Sequence, residues 1–396
     1  MSLRIFRNGP NGMSIRKRAW TAPSGERKTA WQVDYKDSAG HRRSKQFARK
    51  KDADAWLVNT SWEVKQGTHT PDSKSITVEA AAQVWLDQAK REGLEPTTIA
   101  AYEQHVRLHI VPLCGARKLS QLTKPIVEGY RDQLLDKLSR SMARRVLRSL
   151  TAIVAEAERR GYVAKNACSG VTVRKANRDK VKPVIPTKAE MKAIIQAAQA
   201  SDQPMDAPLV VTDIFCGLRA SEVRGMVWSQ VDLKAKILTV DRRADAKNQM
   251  GAPKSAAGSR IIPLPDLVVS ELRKWKLQCP RTNLDLVFPS ERKAVLSHTS
   301  LHRLHLWPVQ IAACVCDGEA ARYSSHAFRH CAASLWIEQR VSPKRVQTWL
   351  GHSSIQMTFD TYGHLFEQAE TDSSVMQAVE REVLGGTDAT PMQQGA

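Results

Sequence analysis

Several things are scarce in this 396-residue chain, and each scarcity removes a class of protein. No apolar run approaches the ~18 to 20 residues that a bilayer-spanning helix needs, and the basic start (MSLRIFRNGPNGMSIRKR) lacks a following apolar segment. Membrane insertion and secretion are therefore not expected, and the chain reads as cytoplasmic. The seven cysteines (Cys114, Cys168, Cys216, Cys279, Cys314, Cys316 and Cys331) are odd in number and lack a disulfide-framework spacing, so reduced and mostly buried thiols are expected. Acidic residues are short as well: forty Asp and Glu face sixty Lys and Arg, leaving a formal charge of +20. A polyanion is the first partner to consider.

What is present is globular, with 42% hydrophobic and 25% charged residues, and the length favours two or three domains. The charge is uneven: residues 1 to 70 hold fifteen Lys or Arg against six Asp or Glu. Within that basic module Trp31, Val33 and Tyr35 alternate with polar residues, Asp37-Ser38-Ala39-Gly40 supplies turn chemistry, and Arg43, Lys45 and Phe47 resume the period of two. A hairpin is predicted, with a third strand around Ser14 to Trp20 and a helix over 51–66 carrying Ala53, Trp56 and Leu57. Arg43 and Lys45 are candidate DNA contacts.

Gly67 to Ser75 (GTHTPDSKS) reads as a linker. From Ile76 to about Cys168 the pattern is helical, with Val84, Trp85 and Ala89, then Tyr102, Val106 and Ile110, then Val127, Tyr130 and Leu134. A fourth helix places Met142, Val146, Leu150, Ile153 and Ala157 on one face and Arg144, Arg145 and Arg148 on the other. That basic face is either simply solvated or a DNA surface, and the charge of the chain favours the second. Residues 169–186 form a second, basic linker in which Arg174 and Lys175 are further candidate contacts. Helical patterns return at 187–199 and 206–228, two apolar strands at Ile237 to Val240 and Ile261 to Leu264 flank a polar stretch, and helices resume from 299 to 384. The tail from Gly385 is short of apolar residues. The fold class expected is multidomain and mainly α with small β-sheets: a β+α module at 1–67, a helical domain at 76–168, a mixed α+β domain at 183–384 and a flexible tail at 385–396.

The chemistry-bearing residues lie in the C-terminal half. Ser325-His326-Ala327-Phe328-Arg329-His330 opens one helix, Ser342-Pro343 opens another, and that second helix ends at Leu350-Gly351-His352. A short third helix brings Tyr362 round. Upstream, Gly217-Leu218-Arg219-Ala220-Ser221-Glu222 supplies a second arginine with an acid one turn on. Two guanidiniums beside a phenol suit attack on a phosphodiester, and nothing in the set resembles a carboxylate cage for magnesium.

The run His326-x-x-Arg329-His330, then Leu350-Gly351-His352-Ser353-Ser354, then Tyr362 ten residues after His352, resembles the C-terminal signature of the tyrosine recombinases, the phage integrase family. With Arg219 and Glu222 ahead of it the match has several parts in the expected order, and residues 76 to 366 resemble the two-domain clamp of that family. The resemblance implies that Arg219 and Arg329 grip the non-bridging oxygens of the scissile phosphate while Tyr362 attacks phosphorus to leave a 3′-phosphotyrosyl link and a free 5′-hydroxyl. His326 would be the general base or proton relay, His352 a donor to the phosphate, and Lys254 the acid for the leaving oxygen, with Lys247 in the same loop as the alternative. Glu222 and His330 would support them. No nucleotide cofactor is implied, because the phosphotyrosine conserves the bond energy, and the lack of a carboxylate cage points to metal-free phosphoryl transfer. Implied partners are double-stranded DNA at core and arm sites, three further copies in a homotetramer, a host DNA-bending protein and an excisionase. The basic N-terminal module is similar to an arm-type DNA-binding domain. Ala327 stands where the family has an acid, and Cys331 where it has Thr.

Three rival readings remain at this level. Cys314-Val-Cys316 with His326 and His330 could be zinc ligands, although one intervening residue is fewer than usual. A non-catalytic DNA-binding protein on the same scaffold has no need of the phenol. A type IB topoisomerase shares the chemistry but does not need an arm-like module.

Overall fold

Alternation of apolar and polar residues makes an antiparallel sheet of β1 (Ser14–Thr21), β2 (Arg27–Lys36) and β3 (Arg42–Phe47). The computed structural model in which it is seen describes residues 13–37, 40–67, 69–73, 75–174, 184–253 and 255–367. The chain separates into two compact units, Met1–Asp179 and Lys180–Ala396.

In the first unit, register pairs Trp31 with Phe47, Val33 with Lys45 and Tyr35 with Arg43, so all six share one face of the sheet. Helix α1 (Lys50–Lys65) covers that face: the Trp56 ring meets Tyr35 edge-on at 5.2 Å and Phe47 at 5.5 Å between centroids. Arg43 and Lys45 therefore lie on the helix side. Lys45 sits over the Trp56 ring and pairs with Asp72 at 2.9 Å, and Arg43 reaches Asp37 and Ser73. Glycine, proline and serine make the following segment read as a linker, and its described residues are bonded on both sides. His69 touches Tyr35 and Glu63, while Asp72 accepts from Ser120 at 2.6 Å and its backbone carbonyl from Lys118.

The helices of this unit are α2 (Val78–Arg91), α3 (Pro96–His105), α4 (Val111–Cys114), α5 (Lys124–Lys137) and α6 (Arg140–Arg159). Thr77 caps α2 by accepting from Ala80 N–H. A π turn at Val106–Ile110 joins α3 to α4, and Pro112 just beyond it explains the wide turn, because its ring crowds the carbonyl four residues back. Along α6, Val146, Leu150, Ile153 and Ala157 are buried against α2, and each large aliphatic contributes about 1.5–3 kcal/mol by leaving water. Arg145 and Arg148 stay exposed on the opposite face.

The second unit opens on α7 (Lys188–Gln199), whose first turn is a capping box between Thr187 and Glu190. The helical pattern expected over 206–228 takes the form of two helices, α8 (Asp206–Phe215) and α9 (Ala220–Arg224). The break falls at Gly217, which has a φ of +57° and would place a Cβ 2.7 Å from the Trp336 ring. The strands β4 (Val231–Asp232) and β5 (Ile237–Val240) follow, then a hairpin of β6 (Arg243–Ala244) and β7 (Met250–Gly251), and β8 (Arg260–Pro263) returns beside β5. Helix α10 (Asp266–Gln278) packs on α8, which is buried along its length, with Leu209, Val210, Ile214, Val268, Leu272, Phe288 and Phe328 in one core.

Helix α11 (His298–Ser300) runs through a second π turn, Leu301–Leu306, into α12 (Trp307–Ala312), again with a proline, Pro308, just after the wide turn. A two-strand hairpin, β9 (Cys316–Asp317) and β10 (Ala320–Ala321), interrupts the helical run expected from 299. The last helices are α13 (Ser325–Glu338), α14 (Pro343–Leu350) and α15 (Ile355–Glu367). The end of the helical run expected to reach 384 and the tail from Gly385 lie outside the described residues.

Candidate active site

The end of α14 organises the site. Ser342 and Pro343 start that helix, and Gly351 stops it in the left-handed conformation, with φ +66°. The terminal carbonyls of a helix lack partners within it and carry partial negative charge. Here three guanidiniums take the successive carbonyls: Arg260 donates to Trp349 O at 2.6 Å, Arg329 to Leu350 O at 2.6 Å and Arg219 to Gly351 O at 2.9 Å. A side chain at residue 351 is excluded twice over, by its φ and because a Cβ there would lie 3.1 Å from Arg260 Cδ.

Glu222 fastens two of these arginines from the other side. Its carboxylate receives Arg260 through two bonds, at 3.0 and 2.7 Å, and Arg219 through the guanidinium at 2.8 Å and the backbone N–H at 2.9 Å. Burial alone would raise the Glu222 pKa, but Arg260 and Arg219 hold it below the usual carboxylate range. The Arg260 side chain is 1% exposed and that of Arg219 39%, so Arg260 is committed to the fold while Arg219 faces solvent.

Helix α13 brings His326, Arg329 and His330 to the same place. Arg329 is buried and donates to Gly217 O at 2.7 Å as well as to Leu350 O. Burial and the neighbouring Arg219 push its pKa down to about 9, which leaves it protonated at neutral pH. His326 and His330, one turn apart, pack edge to face with ring centroids 4.5 Å apart. The imidazole that touches the phenol is that of His330, whose Nδ1 lies 2.6 Å from Tyr362 Oη. Tyr362 is 4% exposed, among Ala333, Ile337, Val346 and Leu350, and burial pushes its phenol up to about 12 against the pull of Arg329.

Burial, then His326 and Arg329, push His330 down to about 4. His352 falls to about 4 through burial and through Arg329 and Arg219, with Nδ1 3.0 Å from Thr358 Oγ1. His326 is lowered by partial burial and by the same two arginines. All three imidazoles are thus neutral at pH 7. Behind the site, Ser325 at the head of α13 donates to Asp213 at 2.9 Å, and burial pushes that carboxyl up to about 8.

The structure therefore gathers Arg219, Glu222, His326, Arg329, His330, His352 and Tyr362, and adds Arg260, which the sequence reading did not single out. Lys254 lies outside the described residues. Lys247 is exposed near the turn of the β6–β7 hairpin, where its backbone N–H donates to Asp245. Ala327 packs against the core, and Cys331 is buried beside Met191. Of the candidate DNA contacts, Arg145, Arg148 and Arg174 are exposed, Arg144 donates to Val173 O, and Lys175 is outside the described residues. Among the described residues no group of three or more His, Cys, Asp or Glu is placed to hold a metal ion, so Cys314, Cys316, His326 and His330 do not form the zinc site considered above. No helix among them is long and apolar enough to cross a membrane.

Residues 186–369 match the Phage integrase family, and residues 77–135 match its N-terminal SAM-like domain. A XerC-like tyrosine recombinase of Caldanaerobacter subterraneus subsp. tengcongensis is 25% identical over 355 residues, 82% of this chain and 88% of the relative. The ICEBs1 integrase of Bacillus subtilis is 21% identical, over 76% of this chain and 82% of that one. Among solved structures, the Tn1549 transposon integrase in complex with a circular intermediate DNA superposes with a TM-score of 0.64 at 19% identity, over 78% of this chain and all of that one. A lambda integrase dimer bound to a core site gives 0.59 at 18% identity, over 94% of this chain and 99% of that one. With the family's two domains matched in order along the chain, and a tyrosine recombinase aligned over most of its length, the chain belongs to the phage integrase family of tyrosine recombinases.

Proposed function

We propose that the chain is a site-specific DNA recombinase that integrates or excises a mobile element by cleaving and rejoining DNA through Tyr362. The observation that carries this reading is the single cluster holding a buried phenol, two guanidiniums and three neutral imidazoles. Each guanidinium has five N–H donors, and Arg219 and Arg329 each spend two on the bonds described, which leaves donors for a phosphate. In this role they neutralise the scissile phosphodiester and the charge that builds on it in the transition state. Tyr362 Oη attacks phosphorus, giving a 3′-phosphotyrosyl bond and a free 5′-hydroxyl. His352 donates to a phosphate oxygen, His326 relays protons, and Lys254 supplies the proton to the leaving oxygen. Glu222 holds Arg219 in place. No cofactor enters, since the new ester keeps the energy of the old.

The domains proposed are an arm-binding module at 1–67, a core-binding domain at 76–168 and a catalytic domain at 183–384. The open face of the N-terminal sheet, opposite α1, carries Arg16, Arg18, Lys28, Lys36 and Arg42 around the paired Gln32 and Gln46. That face, and not the side of Arg43 and Lys45, suits a DNA groove. Arg145, Arg148 and Arg174 suit phosphates of the core site. The lambda integrase has been solved as a tetramer on a Holliday junction. By the same family logic four copies of this chain act on two duplexes, with a host bending protein and an excisionase directing them.

The test is recovery of covalent adducts. The chain and a Tyr362→Phe version are expressed in bacteria carrying the element, denatured, purified with attached DNA, and the attached ends sequenced. Ends at one discrete site, lost in the variant, are expected; DNA binding without any adduct contradicts the reading.

A further inference from the structure

We infer that His330, rather than His326, takes the proton from the nucleophile. This deepens the reading of Tyr362 given above and rests on it. Tyr362 Oη and His330 Nδ1 lie 2.6 Å apart, within the range in which a proton acceptor must lie, whereas His326 is exposed and meets His330 only ring to ring. The proposed role requires the tautomer in which Nδ1 accepts from the phenol and Nε2 carries the hydrogen.

The surroundings suit a base that stays neutral until the substrate arrives. Facing His330 are Tyr362 from α15, His352 from the turn before it, and His326 and Arg329 from its own helix, with no carboxylate among its influences. Burial and those neighbours keep it deprotonated at pH 7. A phosphodiester held by Arg219 and Arg329 brings negative charge beside the ring and raises its proton affinity when the phenol must be discharged. The step balances. The Oη–P bond forms as the P–O5′ bond breaks, the phenolic proton passes to His330 Nδ1, and the departing oxygen takes a proton from the acid assigned above or from water. Religation reverses each transfer, and the exposed His326, edge to face with His330, lies between that imidazole and solvent.

The experiment measures single-turnover cleavage of a nicked duplex carrying the site recovered from the adducts, from pH 5 to 9. The wild type, His330→Gln and His326→Gln are compared, each with Tyr362 or with 3,5-difluorotyrosine at that position. Glutamine still accepts the hydrogen bond but takes no proton. His330→Gln should lose about 10²-fold or more at pH 7, and its rate should climb with pH where the wild type has levelled off. The fluorinated phenol, which ionises more readily, should restore most of that loss in His330→Gln and little in His326→Gln. A His330→Gln rate near wild type overturns the assignment. So does a slow variant with an unchanged pH profile that difluorotyrosine does not rescue, which marks a packing role. Failure of the wild type itself to form an adduct would instead strike at the recombinase reading.

Discussion

The Arg260 guanidinium and the Glu222 carboxylate form a two-point ion pair with both side chains almost wholly buried, at 1% and 3% exposure. Removing one partner of such a pair leaves a buried charge uncompensated, which costs about 3–5 kcal/mol. Glu222→Gln should therefore lower the unfolding free energy of the second unit by several kcal/mol in urea titration. Cleavage should fall as well, because Arg219 loses its anchor. A change below about 1 kcal/mol would show that the pair is not formed in solution.

Gly351→Ala tests the close approach of α14 to Arg260. The left-handed φ and the 3.1 Å approach to Arg260 Cδ both oppose a methyl group. A loss of about 1–3 kcal/mol in stability is expected, together with slower cleavage because the last carbonyls of α14 shift under Arg219 and Arg329. Normal stability with normal cleavage would mean that the turn relaxes freely.

Stability should pass through a maximum near pH 6.5. His330 and His352 have folded pKa values lowered from 6.5 to about 4, so their contribution is complete above pH 6.5 and is lost as pH falls towards 4. Asp213 is raised from 3.8 to about 8, so its contribution is complete below pH 3.8 and is lost as pH rises through 8. Between 4 and 6.5 the two histidines outweigh the one acid; above 6.5 the acid alone sets the slope. Urea midpoints measured across this range should show both limbs, and Asp213→Asn should flatten the alkaline one. An unchanged alkaline limb in that variant would assign it to another group.

For the N-terminal sheet, Arg16→Ala, Lys28→Ala and Arg42→Ala should each weaken binding to a mixed-sequence duplex. Each should reduce the slope of log K against log salt by about 0.9 for every phosphate left without its cation. Lys45→Ala removes the pair with Asp72 and should act on stability, with the salt slope unchanged. The reverse pattern would put the DNA on the α1 side of the sheet.

The sequence made Arg219, His326, Arg329, His352 and Tyr362 legible, because helix starts, a glycine stop and fixed spacings survive in one dimension. Arg260 was not legible: an arginine at the head of an apolar strand reads as surface, and only the fold brings Glu222 and the Trp349 carbonyl onto it. The charge of β3 was visible, but not its side. Alternation defines two faces without saying which one α1 will cover, and Trp56 decides it by packing on Tyr35 and Phe47. The linker after Gly67 was legible by composition, but not its bonds to residues distant in sequence, chiefly those of Asp72 with Lys45 and Ser120. The break between α8 and α9 was hidden for a similar reason, since the Trp336 ring that excludes a side chain at Gly217 lies more than a hundred residues on.

The most direct test of the central claim is the chemical identity of the bond. Adducts recovered from cells are digested with protease and nuclease, and the peptide bearing the nucleotide is sequenced by mass spectrometry. In parallel the free DNA ends are labelled with polynucleotide kinase without prior phosphatase treatment. The expected product is a nucleotide joined through its 3′-phosphate to Tyr362, with 5′-hydroxyl ends that label directly. A nucleotide on any other residue, or a 5′-phosphate link, would contradict it.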